Sequence, residues 1–120
     1  MAAFLELSGW INLADGTTAQ VKYTKIDAAV SGDNTIVPAV TGKKIRVISM
    51  YYLASGTVNV RFESGASGTA LTGQAQHTGQ TGAVLNRNID GWFETTAGSL
   101  LNMELSDAVS VDGALSYIEV

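Results

Sequence analysis

The sequence predicts an all-β protein, an antiparallel β-sandwich of about eight strands with a jelly-roll-like character. Three observations lead there. Apolar residues recur with period 2 and rarely at helical spacing. Glycine with Asp, Asn or Ser punctuates the runs at intervals of roughly ten residues. The single proline, Pro38 in "TIVPAV", removes a backbone donor and marks an edge strand or a strand start.

In chain order, residues 1–18 carry Phe4, Leu5, Leu7, Trp10, Ile11 and Leu13 ahead of "ADGTT". They are expected to form an N-terminal arm that tucks under its own domain or reaches onto a partner, or else one more strand or a short helix, and residues 19–120 a single β-sandwich domain. "AQVKYTKIDAAV" (19–30) sets Val21 with Tyr23, then shifts its apolar phase to Ile26, Ala28 and Val30, which predicts a bulge near Thr24 or Lys25. "KKIRVISMYYLA" is apolar on both faces: Ile45, Val47, Tyr51 and Leu53 on one, Ile48, Met50 and Tyr52 on the other. Such a strand is either central in a sandwich or covered by another molecule.

Cleaner alternation follows. "TVNVRFE" turns Val58, Val60 and Phe62 inward, and "SLLNMELSD" opposes Leu101, Met103 and Leu105 to Asn102 and Glu104. "GALSYIEV" puts Leu115 and Tyr117 opposite Ser116 and Ile118. "VDGA" (111–114) is the strongest hairpin-turn signal in the chain. "TGQAQHTGQTG" (72–82) has no apolar period and is expected to be a mobile loop. Trp92, in "GWFE", is expected in the core.

Composition narrows function more than it identifies it. Charged residues make up 15% of the chain, against about 25% in an ordinary soluble domain. A surface of Thr, Ser, Gln, Asn, Gly and Ala suits close packing against a neighbour, because little charge must be desolvated. The net charge of −4 and scattered basic residues argue against nucleic acid as a direct partner. The only basic cluster, Lys43, Lys44 and Arg46, reads as a solvated turn. No cysteine is present, no secretory signal is visible and no apolar run approaches a membrane span, so neither a membrane nor a thiolate site is expected.

Candidate chemistry is sparse. The lone His77 cannot close a zinc site without further His or Cys ligands, and "SGASG" is not a nucleophile elbow. Asp107, Asp112 and the other carboxylates form no recognisable pair, and phosphate-loop and calcium-loop patterns are missing. No catalytic residue, metal or cofactor is expected, and the chain does not read as an enzyme. Trp10, Trp92, Tyr51, Tyr52 and Tyr117 could stack on sugar rings if exposed, which keeps a carbohydrate-binding or host-attachment module as the alternative.

Two long stretches, "VPAVTGKKIRVISMYYLASGTVNVRFESGASGTALTG" (37–73) and "GWFETTAGSLLNMELSDAVSVDGALSYIEV" (91–120), resemble small virion proteins of tailed bacteriophages. That family is all-β, often jelly-roll, and decorates the capsid shell or fills a similar structural role. The resemblance implies a protein made in the host cytoplasm and incorporated in the virion. It also implies self-association, commonly as a homotrimer, and a footing on the major capsid protein. Phe4, Leu5, Leu7 and Trp10 would then contact the capsid, with Tyr51, Tyr52, Ile48 and Met50 at the subunit interface.

Overall fold

The computed structural model describes residues 9–120, as twelve strands with no α-helix among the described residues. They are β1 (Trp10–Asn12), β2 (Thr18–Gln20), β3 (Lys22–Ala28), β4 (Gly32–Val37), β5 (Ile45–Ala54), β6 (Val58–Ser64), β7 (Thr69–Ala70), β8 (Ala75–His77), β9 (Gly82–Leu85), β10 (Phe93–Glu94), β11 (Leu101–Leu105) and β12 (Val111–Glu119). One sheet runs β3-β12-β5, with β9 and β10 both paired to the far side of β5. The other runs β4-β11-β6, with β7 and β8 both paired to the far side of β6. Every pairing is antiparallel.

The chain crosses from one sheet to the other at β3–β4, β4–β5, β5–β6, β8–β9, β10–β11 and β11–β12, and β12 inserts between β3 and β5. This is jelly-roll connectivity, as the strand spacing suggested. The strand count exceeds the expected eight for two reasons. A hairpin, β1–β2, lies outside both sheets, and each sheet has one edge position built from two short strands.

Between the sheets lies the main core, with Ile26, Ile36, Val37, Val60, Phe62, Leu101, Met103, Leu105, Val111 and Leu115 all buried. The alternations of β6, β11 and β12 put there the residues that period 2 assigned inward. β4 is an edge strand and ends at Val37, immediately before Pro38.

β5 resolves the doubly apolar pattern. Tyr117 on β12 faces Val47 and Leu115 faces Met50, so three steps on β5 match two on β12 and the register shifts by one residue. This is a β-bulge at Ile48 and Ser49. Ile45 and Val47 point into the main core before it; Met50, Tyr52 and Ala54 do so after it. A strand that changes phase is apolar on both sides in sequence, yet its core-facing row stays continuous. The bulge expected in β3 is absent, since β3 pairs β12 in unbroken register. Val21 is buried in a second cluster on the outer face, and that accounts for the phase shift seen there.

That second cluster covers Ile48 and Ile118 with Ile11, Ala19 and Val21 of the N-terminal hairpin and its exit. Residues 9–18 therefore sit on their own domain, while Phe4, Leu5 and Leu7 lie outside the described residues. The hairpin turn is fixed by Asp15, whose carboxylate accepts from Thr17 N at 3.0 Å and Thr17 Oγ1 at 2.6 Å. Gly16 takes the positive φ of 86°.

Two turn signals mislead. "VDGA" is no turn, for β12 runs straight through Asp112 and Gly113. A Cβ on Gly113 would come within 2.0 Å of the Tyr51 carbonyl oxygen, and one on Gly82 within 2.0 Å of that of Tyr52. Both glycines allow the neighbours of β5 to approach its backbone. In the expected loop 72–82, Ala75–His77 is a strand paired to β6, and His77 is buried.

Ile48 and Leu53 both face outward on β5 but are energetically unlike, since the hairpin covers the first and leaves the second open. Ile48→Ala is expected to lower unfolding free energy by about 2–4 kcal/mol, as for other buried isoleucines. Leu53→Ala, on the open side, should stay within about 0.5 kcal/mol. Urea denaturation of both variants checks the assignment.

Candidate interaction surface

The two outer faces of the sandwich differ in chemistry. On the β4-β11-β6 sheet the outer face is a hydrogen-bonded polar network. Asn102 is wholly buried; it donates to Asp33 Oδ1 at 2.7 Å and Glu63 Oε1 at 2.9 Å, and its Oδ1 accepts from Asn34 N at 2.8 Å. Arg61 binds Glu63 through Nε at 3.0 Å and reaches Glu104 at 3.3 Å. Asp33 also accepts from Ser67 N and Oγ, which pins the β6–β7 turn where Ser67 has a φ of 51°.

Asp33, Glu63 and Glu104 bring carboxylate oxygens within 4.8 Å of one another, a spacing a cation could bridge. Their oxygens are already committed to Arg61, Asn102 and Ser67, which makes the cluster a structural clasp. Burial works against the charge on Glu63, which is 1% exposed, but hydrogen bonds from Glu104, Arg61 and Asn102 more than offset it and hold its carboxyl below the usual range. Glu104 moves the other way. Its hydrogen bond to Glu63 favours the protonated form, with burial and the Glu63 charge adding to the effect.

Other sequence candidates are structural too. His77 Nε2 pairs with the Tyr52 hydroxyl at 2.9 Å and Nδ1 with Thr81 Oγ1 at 3.0 Å, tying β8 of one sheet to β5 and the start of β9 in the other. Its polar surroundings in sequence hid this; only the alternation of Ala75 with His77 hints at a strand. Two members of the basic cluster share Glu94, which accepts from Arg46 Nε at 2.7 Å and lies 3.3 Å from Lys44 Nζ.

On the β3-β12-β5-β9 sheet the outer face is open beyond the N-terminal hairpin. Tyr51 and Leu53 project from β5 just past the bulge, and the hairpin does not cover them. Val84 of β9, opposite Tyr51, is 71% exposed, and Tyr23 of β3 is 73% exposed. Between these side chains runs a shallow depression of about 320 Å³, with Ser49 and Ala114 in its lining. Charge sits beside it, in a Lys25–Asp27 pair at 3.6 Å and in Arg87 and Asp112. Exposed apolar groups gathered on one rigid face with charges around them are what an interaction surface requires.

Of the residues expected at the subunit interface, only Tyr51 is exposed. Ile48 is in the hairpin-covered cluster, and Met50 and Tyr52 are in the main core. Trp10 is partly exposed on the hairpin. Trp92 is not in the core: it is 46% exposed, with Nε1 donating to Asn86 O at 2.8 Å. Sequence reasoning missed Leu53, Val84 and Tyr23 as a group, because no periodicity tells which strands lie side by side.

The Glu63–Glu104 pair gives a signed pH dependence. A raised carboxyl pKa contributes stability below the ordinary carboxylate range that is lost as pH rises through the folded value. Glu104→Gln keeps a donor for Glu63 and cannot ionise. Its urea midpoint is expected above that of the parent at pH 7, with the two converging below about pH 4. A lower midpoint at pH 7 would mean that the Arg61–Glu104 ion pair dominates instead.

No protein-family model and no curated protein matches the chain, so the chemistry of the open face and the sequence resemblance carry the functional reading.

Proposed function

We propose that this chain is a non-enzymatic structural protein of a tailed-bacteriophage virion, a capsid decoration protein that binds and stabilises the assembled head shell as an oligomer. The observation that carries the reading is the open face of Tyr23, Tyr51, Leu53 and Val84 on a low-charge jelly roll. The family resemblance over residues 37–73 and 91–120 supports it. The partners are other copies of the chain, expected as a homotrimer, and the major capsid protein. The place of action is the virion, after synthesis in the host cytoplasm.

The mechanism is linkage. A protein that binds only the assembled shell adds its binding free energy to the intact state, and many copies acting together turn modest contacts into firm attachment. This asks for a rigid apolar face and for no reactive group. Within the proposed interface, Tyr51 keeps the role its sequence position suggested. Leu53, Val84 and Tyr23 take the roles expected of Ile48, Met50 and Tyr52.

Light scattering across a dilution series is expected to give three times the chain mass. The double variant Tyr51→Asp, Val84→Asp should be monomeric and should no longer cosediment with empty phage shells. A parent that is monomeric at every concentration and fails to cosediment removes the reading. Retention of the protein on a glycan array in that case favours the host-attachment alternative.

A further inference from the structure

Along one side of the sandwich both sheets end in a split edge. β7 stops at Ala70 and β8 starts at Ala75; β9 stops at Leu85 and β10 starts at Phe93. Residues from both gaps line one cleft, of about 300 Å³, that leads in between the sheets. Its floor is core: Met50 and Tyr52 from one sheet, Val60 and Phe62 from the other. Phe93 forms a wall, its ring 5.1 Å from that of Phe62, and Trp92 stands beside it. Ala75 and Ala83 face the cleft from the two edges, where longer side chains would fill it.

The polar groups of the lining are already used. The Tyr52 hydroxyl pairs with His77, and Trp92 Nε1 donates to Asn86 O. Thr72 Oγ1 accepts from Phe62 N at 3.1 Å and donates to Gly73 O at 3.0 Å. Each of these polar side chains already has a partner, so a molecule that relies on strong hydrogen bonds gains little from them on entry. A molecule that needs none loses nothing and gains contact with aromatic walls. The size fits as well: an engineered apolar cavity of about 150 Å³ takes up benzene, and natural ligand pockets begin at roughly 300 Å³.

The geometry points to a binding site for a small hydrocarbon-like molecule, an aromatic ring or short aliphatic chain without hydrogen-bonding groups, in the cleft between the split edges. The site opens at the split edges, shares only Met50 and Leu85 with the lining of the outer depression, and is independent of the virion reading.

Fluorobenzene is the probe, followed by ¹⁹F NMR and by amide and methyl shifts of the full chain. Saturable binding is expected, with shifts centred on Ala75, Ala83 and Phe93. Ala75→Leu and Ala83→Leu should each weaken it by about tenfold or more, as filling removes the space. Tyr51→Ser, on the open face, should leave it unchanged. Non-saturable binding, shifts centred on Tyr51 and Val84, or full affinity in both leucine variants overturns the assignment. Should a leucine variant fail to fold, the shift map of the parent decides alone.

Discussion

The one-residue register shift in β5 is the constraint on which the rest of the molecule depends. Without it, Met50 and Tyr52 would point away from the core that Ile45 and Val47 enter. With it, the sandwich has a continuous interior along its longest strand, and Ile48 is left facing outward. The N-terminal hairpin covers that residue together with Ile118. The bulge therefore decides where the hairpin must lie, and the hairpin decides how much of the outer face remains open. Ser49 and Ser116, whose hydroxyls meet at 2.5 Å, satisfy polar groups at the shift itself.

Much of this was legible in the sequence, and the misses share a cause. Strand faces were readable wherever one side of a strand is apolar and the other polar, as in β6 and β11. They were unreadable where the outer side is also covered, because period 2 cannot separate a bulge from a second hydrophobic cluster. Val21 was consequently read as a sign of a bulge in β3, when the bulge lies in β5. Gly113 was read as a turn because Asp-Gly favours one locally. Its actual role is set by a neighbouring backbone that no local rule contains. His77 was lost in a polar run because both its partners, Tyr52 and Thr81, become neighbours only through the cross-sheet connection.

The same limit applies to function. The all-β class and the lack of a recognisable catalytic motif could be argued from residue types. The open face could not, since it gathers Tyr23, Tyr51, Leu53 and Val84 from three strands that sequence order does not place together. The molecule that results is asymmetric. One outer face is a clasped network of carboxylates, amide and guanidinium; the other presents rings and aliphatic groups on a rigid sheet. Polar and apolar surface are thereby separated onto opposite sides of the domain.

The position of β12 also has a consequence for biosynthesis. It is the strand that joins β3 to β5, so the sheet bearing the open face has no centre until residues 111–119 have been made. A nascent chain that has emerged as far as β11 can pair β4, β11 and β6, but it must hold β3 and β5 apart, each with an unpaired edge and an uncovered apolar row. Most of the fold's stabilising contacts are non-local in the same sense, which places it among slowly folding topologies. Closure of the domain thus waits for β12, and the open apolar face comes into being in the same step that buries the edges most prone to aggregate.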